Sequence, residues 1–365
     1  MRLFVDCRYV RTRVHDGISR YTASLVQALT SPQLSGRADV TMLISDPAQL
    51  DMLPDLPHLR ISSPTSPLEP FVPRQISPHS PDVVFSPMQT MGSAGRTYPL
   101  ILTLHDLIYY QHSAPPQNLP APIRLGWRLY HLSYAPQRWT LNRADAVATV
   151  SDTTAQLIAE HRLTRRPVHL VPNAPQPVAQ PRDPEAAPQR ELIYMGSFMA
   201  YKNVEAIIDG LNMLPEHRLH LCSPIDPARR QELMGAAHRP SQLVFHNGIS
   251  EEDYSRLLSS AAALVTLSQA EGYGLPVIEA MSHGTPVIVS DLPIFREVVG
   301  EAADTPAAQV AATPEDLAFA VRRLEDPAVF EAASRSAFER SRAYSWTDSA
   351  ERLLAAAESV RGAYA

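Results

Sequence analysis

Short apolar runs recur along the chain, and most are followed by a polar turn and then by residues with helical spacing. In the first half they are Leu3–Asp6, Val40–Ile44, Asp82–Ser86, Leu100–Leu104, Ala146–Val150 and Val168–Val171. In the second half they are Glu191–Met195, Arg218–Cys222, Gln242–Phe245, Ala262–Leu267 and Thr285–Val289. Unbroken runs of this length predict parallel strands covered on both faces. Helical spacing is read from Gly17 through Leu29, Pro122 to Arg143, Thr153 to Glu160, onward from Val204, and over Val277–Met281, Thr313–Leu324 and Val329–Arg342. Strand and helix alternate, so the expected class is α/β with parallel sheets. The stretch Pro54–Pro81 is rich in proline and serine and is expected to be loop. Pro175–Pro188 has no periodicity and reads as the linker between a domain at 1–180 and another at 187–345.

The densest chemistry lies just beyond the run Ala262–Leu267. Glu271, Gly272, Tyr273, Gly274, Leu275 and Pro276 form a tight turn into a helix that carries Glu279 and stops at Gly284. Proline suits the first turn of a helix, and glycine its end. Strand, glycine turn and helix start together make an anion site, because unpaired N–H groups and the positive end of the helix dipole point outward. Two carboxylates flank that site. They suit sugar hydroxyls rather than phosphate, since a hydroxyl donates to an ionised acceptor.

This string resembles the signature of the retaining nucleotide-sugar glycosyltransferases of family four. That signature is two glutamates separated by seven residues and written around Glu-Gly-Phe/Tyr-Gly-Leu-Pro. It stands here as Glu271 to Pro276 with Glu279, followed by Ala280, Met281, Gly284, Pro286 and Val287. The resemblance covers nearly the whole chain and is most specific over residues 191–297. It implies the GT-B fold: two facing Rossmann-like domains with an interdomain cleft, and a final helix, 346–365, that packs back on the first. It also implies metal-independent transfer of a hexose from a nucleotide-sugar to a glycan or lipid-linked acceptor. The family places a Gly-Arg-(four)-Lys-Asn segment after the first strand of the second domain, where Arg and Lys neutralise the diphosphate. Here Gly196, Lys202 and Asn203 match, while Ser197 stands for the arginine. Arg8, Arg11, Arg13 or Arg20 is a candidate for the missing charge. The loop at Gly248 is expected beside the nucleotide base. The resemblance assigns Glu279 to the ribose, and Glu271, with the Tyr273, Gly274 and Leu275 turn, to the donor sugar and diphosphate.

Three further positions carry chemistry. Lys202 is the sole lysine of the chain. A cation at a helix start is unfavourable unless an anion joins it, which favours a phosphate role over a solvated surface residue. His105 ends the strand Leu100–Leu104, where open α/β sheets place ligands; the family has a catalytic histidine there, facing donor and acceptor. Gly17 opens a helix after Asp16 and reads either as an ordinary loop glycine or as the family's glycine loop. In the second reading it resembles members that transfer mannose, which favours GDP-mannose over a UDP-sugar as donor. The helix at Pro122–Arg143 has two readings. One is a basic and aromatic face meeting a lipid surface. The other, which Pro136 favours by interrupting a long amphipathic face, packs Leu125, Leu129 and Leu132 on the sheet and solvates the arginines.

Bulk composition narrows the rest. The 365 residues are 45% hydrophobic and 19% charged, with net charge −6, so no nucleic-acid partner is expected. Cys7 and Cys222 form neither a disulfide framework nor a zinc pattern, and no metal or cofactor is expected. The N-terminal apolar run is too short for a signal peptide, and no window is long enough for a membrane span. The expected location is the cytoplasm, with peripheral contact at the inner face of the membrane as an option. A dehydrogenase is excluded, since Gly272, Gly274 and Val277 lack the third glycine of the dinucleotide turn. A nucleotide-sugar epimerase and an inactive GT-B-fold binding subunit are the rival readings.

Overall fold

The computed structural model describes residues 1–13, 15–112, 121–300 and 308–364. It divides into two compact units, Met1–Ala174 with Ser345–Ala365, and Pro175–Tyr344. The division falls at the first residue of the proline-rich stretch, and that stretch packs within the second unit. Arg182 is buried there, with Nη1 donating to the Ala261 carbonyl at 2.8 Å and its guanidinium 4.4 Å from the Phe330 ring centroid.

The first unit is built on strands β1 (Arg2–Asp6), β2 (Asp39–Ile44), β3 (His58–Arg60), β4 (Val83–Ser86), β5 (Leu100–Leu104), β6 (Ala146–Thr149) and β7 (Val168–Leu170). Their order across the sheet is β3-β2-β1-β4-β5-β6-β7, and every pairing is parallel. The chain winds outward one way from β1, then returns to β4 and winds the other way. The helix Trp346–Tyr364 belongs to this unit. It buries Trp346, Leu353 and Leu354, and Ser349 Oγ donates to the Pro172 carbonyl at 2.7 Å.

The second unit repeats the pattern with β8 (Gln189–Tyr194), β9 (Arg218–Leu221), β10 (Leu243–Phe245), β11 (Ala261–Thr266), β12 (Val287–Val289) and β13 (Ala308–Val310). The order is β10-β9-β8-β11-β12-β13, again all parallel. In both sheets the winding direction reverses beside the first strand. Ligands of open α/β sheets bind outside the strand carboxyl ends at such a reversal. All six residues of β11 are buried, as the unbroken run Ala261–Thr266 requires of a strand with a neighbour on each side.

Three expectations are corrected. The residues 54–81 are more than loop: they contain β3, short helical turns and the helix Pro73–Ile76. The stretch 122–143 is two helices, Ala121–Tyr130 and Ala135–Leu141, and Pro136 sits in the first turn of the second, where its missing N–H costs nothing. Leu125, Leu129 and Leu132 do not pack on the sheet; they are exposed. The proline-rich residues 113–120 lie outside those described.

The carboxyl end of β1 holds a buried ionic cluster. The Arg8 guanidinium bonds Asp6 through Nε at 2.8 Å and Glu69 through Nη1 at 2.6 Å, and all three residues are buried. Asp6 also accepts from Ser86 Oγ at 3.0 Å, which ties β1 to β4. Arg8 is therefore not a spare cation for a ligand. Removing it leaves two carboxylates buried without their partner, so Arg8→Ala should destabilise this unit by about 3–5 kcal/mol in urea unfolding. An unchanged midpoint would contradict the cluster's role.

Candidate functional site

The reversal point of the second sheet lies between β8 and β11, and the loops that leave these two strands carry most of the expected donor-binding residues. After β8 come Gly196, Ser197, Lys202 and Asn203; after β11 come Ser268 to Gly274. The loops are bonded to each other. Gln269 N–H donates to the Tyr201 carbonyl at 2.7 Å, and Lys202 Nζ donates to Glu271 Oε1 at 2.5 Å. Ser268 Oγ donates to the same carboxylate oxygen at 3.0 Å. Both partners of the ion pair are mostly buried, with side chains 12% and 15% exposed. Partial burial strengthens such a pair over a surface one. An ammonium has three donors, and Glu271 takes one.

The β11 loop then delivers the helix Leu275–Ser282. Gly274 caps it at φ +87°, and a Cβ there would sit 2.8 Å from the Phe295 ring, so only glycine fits on both counts. Pro276 lies at the second helical position and has no N–H. Val277 N–H is the first to turn back, onto the Gly274 carbonyl at 2.9 Å. The amides of Gly274 and Leu275 stand ahead of that ladder, at the positive end of the helix. Tyr273 is buried beneath the turn, 6.4 Å edge-on from Tyr344. Glu279 lies one turn into the helix and is half-buried. At the far end Gly284 has φ +76° and ends the helix.

The β8 loop is held from below. The buried Tyr194 hydroxyl donates to the Ser197 carbonyl at 2.6 Å, and Gly196 N–H donates to Ser223 Oγ at 3.1 Å. A Cβ at Gly196 would lie 2.9 Å from that hydroxyl. Asn203 has φ +53°, the left-handed conformation that asparagine tolerates, and this turn starts the helix Val204–Leu211. Arg229 reaches the loop, with Nε donating to the Phe198 carbonyl at 3.2 Å, but its guanidinium also pairs with Glu205 and Glu232. Among the first-unit candidates for the charge absent at Ser197, Arg8 is locked between Asp6 and Glu69, and Arg11 pairs with Asp16 at 2.7 Å. Gly248, at φ +101°, follows the edge strand β10, from which β9 separates β8.

Gly17 and His105 belong to the first unit. Gly17 is the first residue of the helix Gly17–Leu29, with Asp16 capping it by accepting from Ser19 N–H at 2.9 Å. His105 follows β5. Its Nε2 lies 2.7 Å from the Pro87 carbonyl, which can only accept, so Nε2 carries the proton and Nδ1 is the acceptor nitrogen. Tyr21 meets the ring edge-on at 5.1 Å, and burial lowers the histidine pKa from 6.5. The ring is neutral at pH 7, and burial disfavours its protonated form. Among the described residues no group of three His, Cys, Asp or Glu is placed to hold a metal ion.

Comparison with known proteins decides the family. Residues 15–175 match the family described as Glycosyltransferase Family 4, and residues 179–338 match Glycosyl transferases group 1. The chain belongs to these glycosyltransferases. It is 28% identical over 165 residues to O-antigen chain mannosyltransferase B of Escherichia coli, an alignment covering 42% of each chain. It is 24% identical over 226 residues to the GDP-mannose:cellobiosyl-diphosphopolyprenol alpha-mannosyltransferase of Xanthomonas campestris, covering 55% of this chain and 58% of that one. The chain thus spans about half the length of these two relatives. Among solved structures, sucrose-phosphate synthase from Thermosynechococcus elongatus superposes with a TM-score of 0.77 over 99% of both chains at 19% identity, which shows the shared GT-B fold.

Sequence reasoning missed Ser268, which orients Glu271 from three residues upstream, and Tyr194, which carries the Ser197 loop. Ser268 had a signal: a hydroxyl three residues before a glutamate is the spacing of a reciprocal cap. Tyr194 read only as strand core.

The burial of His105 has a pH consequence. Its folded pKa lies below 6.5, so the unfolded chain binds more protons as pH falls. Its stabilising share is complete above about pH 6.5 and is lost on acidification through the folded pKa. His105→Gln should flatten the loss of stability between about pH 7 and pH 5 in urea titrations. A slope identical to that of the parent chain would contradict this.

Proposed function

We propose that this glycosyltransferase moves a hexose, mannose, from GDP-mannose to a glycan or lipid-linked acceptor, with retention of configuration and without a metal. One observation carries the reading. The sole lysine of the chain is held at 2.5 Å by Glu271, in loops that flank a sheet reversal and a glycine-capped helix start. The names of the two mannosyltransferase relatives support mannose, and the name of one of them supports a GDP donor and a polyprenol-linked acceptor.

In this reading the diphosphate lies against Lys202 Nζ and the amides of Gly274 and Leu275. Negative charge grows on the leaving phosphate as the glycosidic bond breaks. Fixed donors that face it there contribute a few kcal/mol each, because they need no reorganisation. Glu279 accepts the ribose hydroxyls. Glu271 accepts from sugar hydroxyls through oxygen not committed to Lys202, and the ion pair keeps it in place. His105, neutral with Nδ1 free to accept in its tautomer, faces the acceptor side. The acceptor's proton passes to the leaving phosphate oxygen on the face from which the donor departs.

Lys202→Ala should lower kcat/KM by about ten- to a hundredfold, the loss of a charge-assisted contact worth about 1.5–3 kcal/mol. Stability should change less, because Ser268 still bonds Glu271. Parental turnover in this variant would overturn the diphosphate role. Glu279→Ala should raise the donor KM at little cost in kcat, and unchanged GDP affinity by calorimetry would remove the ribose assignment. A thermal-shift screen of nucleotide sugars tests the donor itself: GDP-mannose should raise the melting point most. A larger shift with a UDP-sugar would replace it.

A further inference from the structure

In the first unit the successive helices Ala121–Tyr130 and Ala135–Leu141, with the segment 162–166, expose apolar and basic side chains. The helix Ala121–Tyr130 points its aromatic side inward. Trp127 meets Tyr109 edge-on at 5.0 Å and lies 4.1 Å from the His131 ring, and Tyr134 stacks on His161 at 4.5 Å. Leu125, Leu129 and Leu132, at spacings of four and three, therefore form an outward stripe. They are 59%, 58% and 77% exposed, and Trp139 on the next helix is 64% exposed.

Trp139 also lines a cavity of about 1120 Å³ whose wall includes Arg138, Arg162, Arg165 and Arg166. Among the described residues none of these guanidiniums pairs with a carboxylate. Arg138 donates instead to the carbonyls of His161 and Arg162, and Arg166 to that of Asn142. Arg143 stacks over Trp139 at 4.2 Å. Residues 121–166 hold seven arginines against three carboxylates, in a chain of net charge −6.

We propose that this face docks on an anionic phospholipid bilayer. Lipid phosphates complement the guanidinium cluster, which offers forked donors to each one. The leucine stripe enters the acyl boundary, and Trp139 sits at headgroup depth, where an amphipathic ring is favoured. Charge decides against a second copy of the chain, because a two-fold contact would set the same cationic patch against itself. Membrane docking of this face goes beyond the donor reading and does not depend on it.

Co-sedimentation with phosphatidylcholine vesicles, with and without phosphatidylglycerol, tests it. The full chain should bind the anionic vesicles, weaken as salt rises, and ignore the neutral ones. Two variants probe the two halves of the face: Leu125→Ser with Leu129→Ser, and Arg162→Glu with Arg165→Glu. Each should weaken vesicle binding by about tenfold or more while leaving the melting point and donor affinity unchanged, since all four side chains are exposed. Equal binding to neutral vesicles, or anionic binding untouched by either variant, overturns the proposal. Glycerol 3-phosphate that binds as tightly as the vesicles points to a free phosphate and overturns it too. So does a parent chain that is dimeric by light scattering and becomes monomeric in the leucine variant.

Discussion

A single ammonium–carboxylate contact organises the second unit's carboxyl-end loops. Lys202 and Glu271 come from loops that leave β8 and β11, 69 residues apart in the chain, and meet at 2.5 Å. The contact works because each charge is set by its own loop first. Lys202 ends a short helical turn that Asn203 closes in the left-handed region, and Glu271 is braced by Ser268, itself bonded to Thr266 at 3.0 Å. A like pair on open surface would contribute little and wander among rotamers. Here partial burial and the neighbouring hydrogen bonds hold the carboxylate beside a helix start that Gly274 leaves uncovered. Under the proposed function, this preformed arrangement is what the departing diphosphate would meet.

Much of this was legible in the residues. The apolar runs located the principal strands, since a central parallel strand is apolar along its whole length and carries few other signals. The turn at Gly274 was legible because only glycine takes φ +87° against Phe295. The edge strands β3 and β13 were not, because three residues such as His58–Arg60 alternate too briefly to register against a loop. The error over Leu125, Leu129 and Leu132 has another source. Periodicity gives the faces of a helix but not which face turns inward. Leucines and aromatics share this helix, and the inner face went to Trp127 and His131, whose partners Tyr109 and Tyr110 lie elsewhere in the sequence.

Arginine serves three physical ends in the first unit. Arg8 is buried and wholly neutralised by Asp6 and Glu69, so it secures the β1 end and offers nothing to solvent. Arg96 bridges to Asp145 at 2.5 Å and fastens the start of β5. Around Trp139, Arg138 and Arg166 are bonded to backbone carbonyls, and among the described residues no carboxylate pairs with them. Position relative to a carboxylate, more than residue type, decides which arginines can meet an anion. That distinction lies in the fold rather than in a sequence count.

The solitary lysine has a practical corollary. Guanidinium groups resist mild acylation at neutral pH, so an amine-selective reagent meets one side chain in the polypeptide besides the terminal amino group. That side chain is 12% exposed and shares its hydrogens with Glu271, which slows the reagent. The degree of labelling at one position therefore becomes a gauge of how open those two loops stand, read by mass alone and without any engineered probe.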